Sequence, residues 1–221
     1  MIVGSRCPDG EGQATRGRIA PDHVAYAAWM EPGRPNSYAQ ALAELNALPA
    51  EQARERLWAC CAATAWLDAV VAGRPYADAP ALHAASALAL ESLDWAGVRQ
   101  ALDAHPRIGS RLPASAGTVE AGWSAQEQAG TAGSSEDVKA ALVAANLAYE
   151  ERFGHVFLIF ATGKTDTEML AAARQRVHND DATERATVRA ELAKIVDLRL
   201  AKLLGGAPST ASGVNTGPLL T

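Results

Sequence analysis

The chain has 221 residues, 48% of them apolar and 20% charged, a balance that excludes wholesale disorder. Its net charge is −5 and no dense Lys/Arg block occurs, so the basic face that nucleic-acid binding needs is missing. Forty-nine alanines stand against three Phe and four Tyr, which favours helices and argues against a β-sandwich or barrel.

In chain order, residues 1–36 carry many Gly, Pro and Arg without a sustained period, and read as a loose extension with one short helix at His23–Met30. Ser37 caps a helix bearing Tyr38, Leu42 and Leu45. Pro49 opens a second, with Leu57 and Cys61 and then Trp66 and Val70 beyond, which Gly73-Arg74-Pro75 ends. Leu82 to Leu93 is a third stretch, and Asp94 caps a fourth bearing Trp95, Val98 and Leu102. Ser124 starts a short helix, and Ser134 or Ser135 a long one closed by Gly154. Val156-Phe157-Leu158-Ile159-Phe160 is short and alone, so it reads as a buried extended connector or a helix entry. Thr165 or Asp166 caps a helix through Arg176, and Asp181 begins the last, which runs to about Leu204. The expectation is an all-α fold, a bundle of seven to nine helices over 37–205 with no substantial sheet, and a flexible tail at 206–221.

No apolar run reaches the ~18 residues a membrane span requires. The start MIVGSRCPDGEGQ lacks the apolar region of a signal peptide. Cys7, Cys60 and Cys61 form neither a disulfide framework nor a zinc spacing, and are expected to be buried or inert thiols in a reducing cytoplasm. His23, His83, His155 and His178 show no metal-ligand spacing, so no metal site is expected.

Polar residues on apolar stripes carry the functional signal. With Leu192 at 0° and ~100° per residue, Val188, Ile195, Val196 and Leu203 fall within about 60° of it, and Arg199 within about 20°. An arginine there cannot shed its charge, so it needs an anionic partner or a wet cavity; the plain alternative is a packed stem with a snorkelling head. Glu191, Lys194 and Asp197 point away, as a solvated face should. His105 continues the spacing of Trp95, Val98 and Leu102, and Pro106 should end that helix at His105. An inward imidazole at a helix C-terminus suits a proton donor, although a core histidine with a structural hydrogen bond is the commoner case. Ser124 and Glu127 fit a capping box, which suffices to explain both, yet a carboxylate in a first helical turn at a loop mouth also serves a site. Asn146 lies on the stripe of Val138, Leu142 and Tyr149 and reads as a structural hydrogen bonder.

These residues fall in blocks. Leu102 to Gly109 resembles the "HPRIG" signature of the 2-oxo-4-hydroxy-4-carboxy-5-ureidoimidazoline (OHCU) decarboxylase family of urate breakdown. Ser124 to Gly130 resembles its "SxxEQxG" motif, and Asn146 to Gly163 its "NxxYxxxFG…FxIxAxG" block. Arg176-Val177-His178-Asn179 and Ile195 to Leu200 resemble its closing "RLxN…IxxxRL", and Trp66 to Tyr76 its "W…RPF" segment, with Tyr76 where Phe is usual. The resemblance covers about 37–204, five blocks in order.

The resemblance implies a cytoplasmic helical enzyme that needs no metal or organic cofactor. It would remove the carboxylate of OHCU and protonate one face of the resulting carbon, giving (S)-allantoin. His105 maps onto the proton donor. Ser124, Glu127 and Gln128 map onto the motif's polar residues, and Pro106 lines the pocket. The backbone of Ile159, Phe160, Ala161, Thr162 and Gly163 would hold ureido and ring amides, and Arg199 is the cation of the last helix. Decarboxylation needs a cation for the anionic substrate, donors for developing enolate charge and a proton source, and these side chains supply all three. Glu127 either keeps the His105 imidazole protonated and oriented or binds substrate N–H groups. The expected partner is a small molecule, not nucleic acid or membrane, and a homodimer is left open. Two rival readings stand beside this one: a lyase or isomerase of the same fold acting on another ureido or imidazoline compound, and a non-catalytic helical interaction domain with no enclosed pocket joining His105 to Arg199.

Overall fold

The fold is that of a computed structural model, which describes residues 35–108, 122, 123, 126 and 135–205. The expected extension, but for its last two residues, and the tail lie outside these residues, as do Ser124 and Ser134 as helix starts. Among the described residues there are eight helices and no strand.

Short polar side chains set several helix starts. α1 spans Pro35–Ala47 and α2 spans Ala50–Trp58, with Pro49 at its N-cap. α3 (Thr64–Ala72) follows, then α4 (Ala79–Ser92), where Asp78 accepts the Ala81 N–H at 2.8 Å. α5 (Trp95–Asp103) is capped by Asp94, which accepts the Gly97 N–H at 2.7 Å. α6 (Glu136–Phe153) begins after Ser135 and stops at Gly154, whose φ of 70° is the left-handed conformation that glycine adopts without strain. Thr165 and Glu168 form a reciprocal capping box for α7 (Asp166–Arg176), and α8 (Asp181–Gly205) completes the order.

The single helix expected from Pro49 to Gly73 is two helices. The break at Ala59–Ala63 contains neither Gly nor Pro. Its stabilising partner is Gln100 of α5, whose amide oxygen accepts the Thr64 N–H at 2.9 Å while its nitrogen donates to the Thr64 hydroxyl at 2.8 Å. A side chain 36 residues away thus caps α3. Further on, the Tyr76 hydroxyl donates to the Val70 carbonyl at 2.7 Å, and Arg74 donates to the carbonyls of Leu45 and Leu48 at the end of α1. A Cβ on Gly73 would lie 2.5 Å from the Tyr76 hydroxyl, so this close approach requires glycine.

Two apolar clusters form. The larger gathers side chains of α1 to α5 and α8 around the buried Trp66. The smaller joins α6 and α7 with Ile108, Phe157, Ile159 and Ala161. The Val156–Ala161 segment runs between them with alternating side chains. Val156, Leu158 and Phe160 pack with the first cluster, and Phe157, Ile159 and Ala161 with the second. That period of two is the signature of extended backbone. The strand-like run is therefore an extended connector, buried on both faces. Cys60 and Cys61 are buried inside the first cluster. No helix among the described residues is long and apolar enough to cross a membrane.

Candidate active site

The end of α5 places His105. Regular helix stops at Asp103, two residues before the expected end at His105. The His105 N–H turns to the Leu102 carbonyl at 2.9 Å, while the imidazole Nδ1 reaches the Ala101 carbonyl at 2.8 Å. The ring shares that carbonyl with the Ala104 N–H, which approaches it at 3.3 Å at the helix end. A carbonyl only accepts, so Nδ1 carries a proton. The other nitrogen, Nε2, is then the one through which the ring exchanges protons. Asn146, buried in α6, donates its amide to the Ile108 carbonyl at 2.8 Å and so ties down the backbone just beyond His105 and Pro106.

Arg199 lies four-hundredths exposed on the inner face of α8, where the helical spacing puts it. Its Nη1 donates to the Ala59 carbonyl at 3.3 Å. That carbonyl is available because α2 ends there, so the unexpected break between α2 and α3 supplies an anchor for the cation. Burial pushes the neighbouring Cys61 thiol up to about 11, against opposing pulls from the Ala63 backbone and the Arg199 charge.

His105, Pro106 and Arg199 line one pocket. Its opposite wall is the extended segment, with Ile159, Phe160, Ala161 and Thr162 among its residues, and Ile108, Phe157 and Ile195 add apolar surface. About 400 Å³ of space, open solvent at the mouth included, lies among these residues. Gly163 is not part of this lining; it turns the chain away with a φ of 78° just past Thr162. Ser124, Glu127 and Gln128 lie outside the described residues. Trp123, next to them in sequence, is buried against α8, with the Lys202 ammonium 6.0 Å from its ring centre. Among the described residues no group of three His, Cys, Asp or Glu could hold a metal ion.

Glu191 was expected on the solvated face. Its carboxylate instead accepts the Phe160 N–H at 2.7 Å, and only 13% of its side chain is exposed. Arg176 is another residue to which sequence periodicity assigns no task. It is buried, and its Nη1 donates to the Leu158 carbonyl at 2.7 Å. The signal that could have found it is its pairing with Glu184, eight residues on, but that pairing crosses the turn between α7 and α8. Asp197 is exposed as expected, and pairs with His83 of α4 at 2.5 Å.

A histidine and an arginine meeting at one small pocket of a helical fold suit proton transfer on an anionic substrate. The OHCU decarboxylase family model matches residues 46–201, and the chain belongs to that family. The uric acid degradation bifunctional protein TTL of Arabidopsis thaliana is 29% identical over 167 residues, 72% of this chain and 52% of that protein. This chain thus spans about half the length of that relative. The 2-oxo-4-hydroxy-4-carboxy-5-ureidoimidazoline decarboxylase of Amia calva is 34% identical over 137 residues, 62% of this chain and 78% of the relative. A crystal structure of an OHCU decarboxylase in the presence of (S)-allantoin superposes with a TM-score of 0.58 at 26% identity, covering 66% of this chain and 95% of that one. A crystal structure described as (S)-allantoin synthase shares the fold, with a TM-score of 0.54 at 17% identity over 74% of this chain and 54% of that one.

Proposed function

We propose that this protein decarboxylates OHCU to (S)-allantoin in urate catabolism, without a metal or organic cofactor. The observation that carries the reading is the convergence of His105, Arg199 and residues 159–162 on one pocket. Family membership supports the substrate.

Each group has a task. The Arg199 guanidinium neutralises the substrate's carboxylate and holds it in fork geometry. When the carbon–carboxylate bond breaks, CO₂ leaves and its bonding pair passes into the ring. The developing charge is met by peptide N–H groups of the extended wall and by Gln128. His105 Nε2 then delivers a proton to one face of the carbon, which makes the product a single enantiomer. Apolar Ile108, Phe157 and Ile195 keep water from competing as proton source. Ser124 and Glu127 complete the site on the strength of the sequence motif, with Pro106 shaping the wall beside the imidazole. The enzyme works in the cytoplasm, and as a homodimer. Support for pairing is Val143 and Leu147, one turn apart on α6 and about half exposed; sedimentation equilibrium tests it.

The test is direct. Purified protein is mixed with freshly prepared OHCU, and allantoin is followed by circular dichroism. Rapid appearance of the (S)-allantoin signal is expected. A racemic product formed no faster than in buffer alone overturns the reading, and turnover of a different ureido compound in its place would favour the same-fold rival.

A further inference from the structure

The extended wall of the pocket is held by two charged side chains, Arg176 and Glu191. Leu158 and Phe160 are two residues apart in extended backbone, so their peptide groups lie on the same edge. Both are engaged there: the Leu158 carbonyl by Arg176 and the Phe160 N–H by Glu191, each at 2.7 Å. The opposite edge carries the peptide groups of Phe157, Ile159 and Ala161, and residues of both edges, Leu158 and Phe160 among them, line the pocket.

Arg176 is itself locked. Its Nε and Nη2 donate to one Glu184 oxygen at 3.0 and 2.5 Å. The Tyr149 hydroxyl donates to the same oxygen, and Asn179 donates to the other at 2.8 Å. The guanidinium also lies over the Phe157 ring, 4.7 Å from its centre. Glu184 is fully buried. A buried ion pair is a poor route to stability alone, because desolvation offsets most of the attraction. What this pair does supply is a fixed direction for one N–H, and that N–H meets the pocket wall.

We infer that Arg176 and Glu191 are positioning residues: together they clamp one edge of residues 156–161, and with the Ala161 carbonyl taken by the Lys164 N–H at 2.9 Å, the peptide groups of Ile159 and the Ala161 N–H are the ones left to the substrate. The inference rests on the proposed OHCU reaction for its kinetic readout, but not for its structural one.

Three variants test it by two measurements: the separate kcat and KM for OHCU, and the amide hydrogen exchange of Phe160 followed by NMR. Glu191→Leu removes the acceptor and should speed Phe160 exchange about tenfold or more. It should also raise KM by about tenfold, since small misplacements of a binding group cost up to ~10²-fold. Glu191→Gln keeps an acceptor oxygen at the same reach and should restore both values nearly to wild type, which a role in charge alone would not allow. Arg176→Lys keeps a cation beside Glu184 but cannot serve Glu184 and Leu158 together, so its folded fraction should show the same rise in KM. If that variant does not fold, the Glu191 pair decides. Wild-type kcat and KM in Glu191→Leu, or unchanged exchange at Phe160, overturns the clamp. A wild-type protein that leaves OHCU untouched overturns the proposed reaction instead, and the clamp then stands or falls on Phe160 exchange.

Discussion

His105 works from a helix end, and its chemistry follows from the carbonyl it caps. With Nδ1 held by Ala101, the ring cannot turn without giving up a 2.8 Å hydrogen bond, so Nε2 stays aimed. His105→Asn should therefore lower kcat by ~10²–10⁴-fold, the usual cost of a lost positioned acid. Near-wild-type formation of (S)-allantoin by the variant sinks the donor role. Glu127→Gln separates capping from catalysis, because glutamine keeps a capping box within ~0.5 kcal/mol. A sharp fall in rate at a nearly constant Tm is expected; an unchanged rate leaves capping as its only task. Arg199→Lys keeps the charge and loses the fork, so KM should rise about tenfold, equivalent to ~1.4 kcal/mol of binding. If Tm falls while the folded enzyme keeps its kinetic constants, Arg199 serves the fold and not the substrate. His105 and Arg199 were legible in sequence for one reason: each puts a polar group on an otherwise apolar stripe. Glu191 was not, because its register is off that stripe and its partner is a backbone N–H 31 residues away.

At the scale of elements, local signals succeeded where the partner was local. Asp94, Thr165 and Gly154 each sit within one turn of the backbone group they satisfy; Asp94 and Gly154 were read from residue type and spacing, and the α7 cap as either Thr165 or Asp166. The break between α2 and α3 escaped because the apolar spacing continues through it, and the side chain that caps α3 comes from α5. Gln100→Ala should remove that cap and cost about 1 kcal/mol. For a domain of this size, that lowers Tm by about 2–4 °C. The α2–α3 break would survive, since Arg199 still draws on the Ala59 carbonyl. An unchanged melting temperature would mean that the Gln100 bonds contribute nothing to α3. The extended connector was visible as an apolar run, yet apolarity alone does not say what lies on either side. Its alternation between two clusters became apparent only once helices distant in sequence were seen to flank it.

For the molecule as a whole, the sequence pattern says which residues are buried but not against which others, so the division into two apolar clusters was not legible. One consequence of that packing is testable through pH. Cys61 sits inside the larger cluster, and burial raises its thiol from 9.0 to about 11. Burial likewise raises the Tyr76 hydroxyl, and burial with the Glu184 hydrogen bond raises that of Tyr149. Below pH 9 the Cys61 thiol is protonated whether the chain is folded or not, and its contribution is fully present. Between 9 and 11 the unfolded chain releases the proton while the folded chain keeps it, so stability falls as pH rises. Glu168 and Asp180 act in the other direction: hydrogen bonds from Thr165 and Thr183 lower them, and the support they give is lost as pH falls through their lowered values. Stability should thus plateau between these limits. Cys61→Ala removes one of the alkaline protons. At pH 10, one unit above the unfolded thiol value, wild type should have lost on the order of 1 kcal/mol through Cys61 relative to pH 7. The variant should lack that share of the loss, even if its small cavity lowers stability equally at both pH values. Urea unfolding of both proteins at pH 7 and pH 10 measures the difference directly. Equal losses in the two would mean that the folded protein does not hold the Cys61 proton, and so that water reaches the thiol beside Arg199.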